Sequence, residues 1–376
     1  MGFGQLVVQS VAKKLRTGPQ YAGLVLIKGN LVQKRFLVVG AGALGLASAE
    51  ALLRQRSAVT VLEQGTTAQE SSWAGGGILS PLCPWDYPDV VTKLTIRGAA
   101  LFESWAENLH IETGIDPEYN HCGMLVLPPF DLPSAQKWCE AHCVKFVMRD
   151  GGLFLPEVAQ ARNPRLLQAL RASVEKLGGN IVEQCVVQKI HIDKDSVCGV
   201  MTSQGEFIAD NYIVAAGAWS KQLLGDEALQ LGIKPIRGQM LLFKFDSPPL
   251  PYVVLKAGLY LIPRRDGHLL VGSTLEDVGF DKSTTDEARD NLLQRAIEIL
   301  PSLRGRPLIK HWAGLRPGSP DNIPTIGRHP KLDNLYINSG HFRYGVTMAP
   351  ASVELLLNEI NGTPQRFDVS PYRWSI

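Results

Sequence analysis

Long uncharged runs are missing from this chain. The longest stretch without Asp, Glu, Lys or Arg is Ser71 to Trp85, fifteen residues broken by three glycines and two prolines. A membrane-spanning helix needs about 20 consecutive apolar residues, so stable membrane insertion is not expected. An excess of one charge is missing too: 38 Lys+Arg against 36 Asp+Glu leaves +2. Nucleic-acid modules concentrate basic charge, so no nucleic-acid partner is expected. Cysteine is sparse, six in 376 residues. That is too few for a disulfide scaffold and points to reduced thiols and a cytoplasmic location. Cys139, His142 and Cys143 lie within about one helical turn, but two thiolates and a neighbouring imidazole lack a convergent fourth ligand, so no metal is expected.

Acidic residues are absent before Glu50, whereas Lys13, Lys14, Arg16, Lys28 and Lys34 precede Arg35. Gly23 to Ile27 is too short for the apolar core of a signal peptide. Residues 1–32 read as an extension outside the fold, with a targeting peptide as the alternative. What remains is globular in composition, 45% apolar and 20% charged. At about 150 residues per domain, its length suggests two to three domains.

Regular patterning begins at Phe36. Phe36-Leu37-Val38-Val39 reads as a strand, Gly40 to Gly45 as a turn, and Leu46, Ala49, Leu52 and Leu53 as a helix stripe; Val59 to Leu62 reads as a second strand. Strand, turn, helix and strand within about 30 residues make a βαβ unit, hence a parallel sheet in an α/β fold. Further on, Asn163 reads as an N-cap before Pro164, and Thr284 with Glu287 as a capping box for a helix that ends before Pro301. Short β runs fill 186–215. Leu259 to Ile262, Asp266-Gly267 and Leu269 to Gly272 read as a hairpin.

Gly40-Ala41-Gly42-Ala43-Leu44-Gly45 is G-x-G-x-x-G placed between strand and helix. Gly40 permits the tight turn, Gly42 the approach of a pyrophosphate to the backbone, and Gly45 close packing of helix on strand. The helix N-terminus adds unpaired N–H donors and a positive dipole end. Glu63, 18 residues beyond Gly45, suits a ribose hydroxyl and would repel a 2′-phosphate. A dinucleotide site follows, but this fingerprint does not separate NAD from FAD. Ser71-Ser72-Trp73-Ala74-Gly75-Gly76-Gly77-Ile78 brings backbone against something flat or bulky, with two hydroxyls in reach of phosphate or ribityl oxygens.

Taken with Ile213 to Ser220, Pro235 to Gln239, Tyr260 to Thr274, Trp312 to Pro317 and Gly340 to Pro350, these segments resemble the D-amino-acid oxidase family of flavoenzymes over about residues 35–373. The resemblance implies an α/β (α+β overall) architecture. A discontinuous Rossmann-type FAD domain would comprise 33–85, 150–225 and 305–376, and a substrate domain on a mixed or antiparallel sheet 86–149 and 226–304. It implies Ala43 and Leu44 at the phosphates, Glu63 and Gln64 at the adenosine ribose, and Val187 at the adenine. Ser71, Ser72, Gly76, Gly77 and Ile78 would lie near the flavin, with Gly217 and the run His341, Phe342, Arg343, Tyr344, Gly345, Val346 and Thr347. Relatives with covalent flavin use a cysteine in the C-terminal part or a histidine near the N-terminal loop. Here the last cysteine is Cys198 and the first histidine His110, so the FAD is expected to be non-covalent.

The implied reaction is oxidative deamination of glycine and other small amines, sarcosine and D-alanine among them. It yields the 2-oxo acid, ammonia and hydrogen peroxide through hydride transfer to the flavin, and the glycine imine would feed the thiazole of thiamine. Arg316, fixed before Pro317, suits a bidentate grip on the substrate carboxylate. Tyr260 would offer its phenol to the same group and Arg343 would close the pocket. No side chain is required as acid or base. The helix after Gly345, with Pro350 in its first turn, would aim its positive end at the flavin. Tyr344 stands where such relatives usually carry asparagine, which bears on substrate range. The expected partners are a small amino acid, molecular oxygen and a second copy of the chain in a homo-oligomer. The alternatives are a D-amino-acid or sarcosine-type oxidase or dehydrogenase of the same family, or a flavin enzyme acting on a modified tRNA base.

Overall fold

The computed structural model describes residues 33–376, together with a short antiparallel strand pair, Val25–Ile27 with Asn30–Val32. The expected extension, residues 1–32, otherwise lies outside the described residues. Two large sheets organise the rest.

The first has six strands in the order Asn180–Val182, Ala58–Leu62, Arg35–Val39, Asn211–Val214, Leu335–Ser339 and Thr325–Arg328. All neighbours are parallel except the last pair. Both faces are covered, which is why these strands read as unbroken apolar runs. Phe36, Val38, Val59 and Val61 pack under the helices Ala43–Arg54, Asp89–Thr113, Asn163–Lys176 and Gly345–Asn361. Leu37, Leu62, Tyr212 and Val214 turn the other way, onto Val197, Val200 and Trp374. Val197 and Val200 belong to the antiparallel meander Val187–Asp193, Ser196–Thr202, Gly205–Phe207.

The second sheet has eight strands in the order Lys310–Gly318, Lys234–Lys244, His268–Gly272, Leu259–Pro263, Val253–Lys256, Met124–Leu127, Gly152–Leu155 and Val147–Arg149. It is antiparallel apart from the pair Val253–Lys256 with Met124–Leu127. Leu241, Phe243, Leu261 and Val271 pack on the helix Asp286–Ile299. Met240, Tyr260 and Ile262 face the opposite side, where Gly76 lies against Ile262 and Tyr260. The glycine-rich segment of one sheet thus rests on the other.

Several sequence expectations shift. Gly152–Leu155 and Lys310–Gly318 pair within the eight-stranded sheet, although their sequence positions assign them to the dinucleotide half. The chain crosses between sheets inside those boundaries, and strand pairing at such distance leaves no local signal. Asn163 does not cap its helix; Arg162 occupies the N-cap position without a side-chain bond, and the Asn163 amide donates to the carbonyls of Ser72 and Gly75 at 2.7 and 3.1 Å. The second capping residue is Thr285, whose hydroxyl accepts from the Ala288 N–H, one position beyond Thr284. Pro350 falls in the second turn of its helix, which starts at Gly345. Cys139 is buried while Cys143 is exposed. No described helix is long and apolar enough to cross a membrane.

Candidate functional site

The glycine turn opens the site. Gly40 has φ +106°, where a Cβ would meet the Ala215 carbonyl at 2.5 Å. A Cβ on Gly45 would lie 1.8 Å from the Gly40 carbonyl, so helix and turn touch only because Gly45 has no side chain. The helix Ala43–Arg54 has no cap of its own; the Ser72 hydroxyl accepts the Ala43 N–H from across the site at 3.0 Å. Glu63 is buried at the end of its strand. Its carboxylate accepts the Ala41 N–H of the glycine turn at 2.8 Å and the Gly65 N–H of its own loop at 3.0 Å, tying the two together. Burial raises this carboxyl and the two N–H donors oppose the shift.

A cavity of about 440 Å³ runs from this turn to the second sheet. Gly40, Gly42, Ala43, Leu44, Glu63, Gln64 and Val187 line it. Ser71, Ser72, Gly76, Gly77, Ile78 and Gly217 line it as well, and Tyr260, Arg316 and residues 341–347 complete the wall. Of the residues expected from sequence, only Gly45 does not line it, since its part is packing. Among the polar residues that sequence reading did not assign to the site, Asn163 and Arg264 do the most to hold its wall. Asn163 lines the cavity and ties down the 72–75 turn. Arg264, 4% exposed, donates to the carbonyls of Gly76 (2.7 Å) and Ala161 (3.0 Å) and to the Gln160 amide oxygen (2.6 Å). No carboxylate pairs with it among the described residues. Arg264-Arg265 follows a strand and precedes a turn, a position that reads as solvent-exposed, so nothing local marks the first of the pair as buried.

The C-terminal wall is built around the helix Gly345–Asn361. Its N-terminus has no side-chain cap, and Gly345, Val346 and Thr347 line the cavity, leaving a positive dipole end directed at whatever fills it. Thr347 also donates its hydroxyl to the Ile78 carbonyl at 3.2 Å. Before the helix, Phe342 holds φ +45°, a costly conformation that turns the chain between His341 and Arg343. His341 is buried against the Ser352 hydroxyl at 2.8 Å, and burial pushes it down to about 3, so it is neutral. Tyr344 is 3% exposed and edge-on to Tyr87 at 5.1 Å. Burial and Tyr87 raise its phenol well above the usual range.

Arg316 projects from the edge strand of the second sheet. Its Nη2 donates to the Ser273 hydroxyl at 2.7 Å and its Nη1 to the Thr274 carbonyl at 3.2 Å. Burial and the nearby Arg343 both disfavour its charge, while Tyr260 beside it partly offsets this. No carboxylate pairs with Arg316 or Arg343 among the described residues. An arginine does not give up its proton under these conditions, so the desolvated Arg316 guanidinium, with the half-buried Arg343 in the same cavity, creates a seat for an anion.

The residues suit a flavin dinucleotide. Two uncapped or externally capped helix N-termini, a buried acid at the strand end and a glycine-rich segment pressed on a second sheet all open on the same space. Comparison with known proteins agrees. Residues 35–358 match the family model described as DAO, FAD dependent oxidoreductase. A glycine oxidase of Pseudomonas aeruginosa is 42% identical over 91% of this chain and 98% of its own length. A bifunctional protein ThiO/ThiG of Synechocystis is 35% identical over 85% of this chain and 50% of that protein. Among solved structures, the crystal structure of glycine oxidase from Geobacillus kaustophilus has a TM-score of 0.85 over 91% of this chain and 99% of that one; at 24% identity it bears on the fold alone. With its turn, its acid, its two sheets and this match over most of its length, the chain belongs to the DAO family of FAD-dependent oxidoreductases.

Proposed function

We propose that this chain oxidises glycine, and other small amines bearing a carboxylate, to the imine, which water converts to the 2-oxo acid and ammonia, or methylamine where the nitrogen carries a methyl group. One observation carries the reading: Arg316, Arg343 and Tyr260 share a cavity with both helix N-termini and the Gly76–Ile78 segment. Bound FAD supplies the two-electron oxidant and, reoxidised by oxygen, accounts for hydrogen peroxide.

The chain's own contribution is placement and field. Arg316 holds the carboxylate through two parallel N–H bonds, and Tyr260 adds a phenolic O–H, so that the α-carbon has one orientation. The dipole end at Gly345 favours negative charge gathering nearby. His341, kept neutral by burial, and Tyr344, kept protonated, add no charge and are poor candidates for a base. That supports a reaction starting from an unprotonated amine without a side-chain acid or base. Glu63 and Gln64 would hold the ribose, Ala43 and Leu44 the phosphates, and Val187 the adenine, with the FAD non-covalent. A role in supplying an imine for thiazole synthesis, a homo-oligomeric state and a cytoplasmic location belong to the same proposal. The six unpaired thiols support the last.

The test is a visible spectrum of the purified protein, followed by anaerobic glycine. A yellow protein that bleaches, and releases peroxide when air is admitted, is expected. Retained colour with glycine, sarcosine and D-alanine alike would refute the substrate class. Glu63→Ala should weaken FAD binding about tenfold, near 1.4 kcal/mol, because two turn N–H groups lose their acceptor as well as the ribose. Equilibrium titration of apoprotein with FAD measures this; unchanged affinity would place the ribose elsewhere.

A further inference from the structure

The segment Pro235 to Gln239 stands out in the sequence, yet the reaction above leaves it without a part. It begins the strand Lys234–Lys244, next to the strand that carries Arg316. Side chains alternate along a strand, so Gly238 faces one way and Arg237 and Gln239 the other. On the Gly238 side lies the Arg316 guanidinium. A Cβ on Gly238 would sit 2.1 Å from Nη1 and 2.4 Å from Cζ. The guanidinium rests where any other residue would put its side chain.

On the opposite side, Arg237 and Gln239 are buried and converge on Glu276. Arg237 donates to Oε2 through Nη2 at 2.6 Å and Nε at 3.2 Å, and its Nη1 also meets Asp281 at 2.5 Å. Gln239 donates its amide to Oε1 at 3.0 Å. The Thr274 hydroxyl donates to the same Oε1 at 2.5 Å and accepts the Gln239 N–H at 2.8 Å. The Thr274 carbonyl and the adjacent Ser273 hydroxyl are the two acceptors that hold Arg316. A chain of hydrogen bonds therefore runs from the Arg237–Glu276 pair, through Thr274, to the guanidinium.

We propose that Gly238, Glu276 and Arg237 are positioning residues for the substrate carboxylate: Gly238 vacates the bed of Arg316, Glu276 anchors the Thr274 segment that aims it, and Arg237 neutralises Glu276. The proposal rests on Arg316 being the carboxylate's partner. Burial disfavours charge on Glu276, but the donors from Arg237, Thr274 and Gln239 keep its carboxyl below the usual range, so it is ionised. Deprived of Arg237, that carboxylate would be left buried without its charge partner, and the Thr274 segment it anchors would lose its fixed place.

Gly238→Ala is the most direct probe. The first atoms its methyl meets are the tip of a flexible side chain, so the strand survives and the guanidinium moves. The holoenzyme variant should show KM for glycine raised about tenfold with kcat changed less, the split expected for a misplaced binding group. Acetate, read by its perturbation of the flavin spectrum, should bind correspondingly more weakly. FAD affinity and the melting temperature should stay at wild-type values. Glu276→Gln and Arg237→Gln should shift KM and acetate binding in the same direction, with Arg237→Lys restoring part of the loss. Combined with Arg316→Lys, each should add little, because the pairs act through one group. Unchanged KM and acetate affinity in both Gly238→Ala and Glu276→Gln would overturn the proposal. So would additive losses on the Arg316→Lys background. Should an Arg237 variant lose its fold, Gly238→Ala decides the matter. Wild-type KM in Arg316→Lys itself would instead remove the reading on which this proposal stands.

Discussion

Replacing Arg316 by lysine is expected to raise KM for glycine about 100-fold, equivalent to about 2.7 kcal/mol, while FAD stays bound. The guanidinium meets the Ser273 hydroxyl and the Thr274 carbonyl at 2.7 and 3.2 Å, leaving its remaining N–H groups for an incoming carboxylate. A lysine ammonium is a point donor. It cannot satisfy the protein acceptors and two carboxylate oxygens in one plane. Turnover should fall as well, since a carboxylate held by one bond leaves the α-carbon free to swing. Steady-state kinetics on FAD-saturated protein measures both effects. A KM within twofold of wild type would show that the anion sits elsewhere in the cavity, with Arg343 the next candidate.

Arg264→Met should have the largest effect on integrity. Its guanidinium is nearly inaccessible and donates to three oxygens, of Gly76, Ala161 and Gln160. Burial lowers it to about 10, so it stays charged at neutral pH. Methionine fills the space but leaves three buried acceptors unmatched, each worth about 1–3 kcal/mol and not additive. A loss on the order of 3 kcal/mol is expected, and with it weaker retention of FAD, because Gly76 belongs to the segment lining the cavity. Thermal unfolding of apoprotein and holoprotein, with FAD titration, separates the two effects. Wild-type values in all three measurements would show that the clamp is dispensable.

The contrast between these two arginines explains what could be read in advance. The Gly40–Gly45 turn and Glu63 were legible because backbone constraints there force residue types at short spacing. Arg316 was legible as a residue of the cavity wall because the Trp312–Pro317 segment singles it out and Pro317 restricts its direction. Arg264 and Asn163 were not. Their partners lie up to 188 and 91 residues away in sequence, and a lone buried polar side chain leaves no periodic trace. Thr284 and Thr285 are both chemically fit to cap, so sequence alone chose between equals and picked the neighbour. The membership of Gly152–Leu155 and Lys310–Gly318 in the second sheet likewise depends on pairing across the molecule.

The 71–78 segment is fastened from every side. Asn163 and Thr347 hold it from helices over the first sheet, and Arg264 and the Trp312 indole, which donates to the Ala74 carbonyl at 3.1 Å, hold it from the second. Neither sheet can melt without loosening this shared knot. Heating should therefore produce one sharp calorimetric peak in place of two staggered ones, moving upward as a unit when FAD is added.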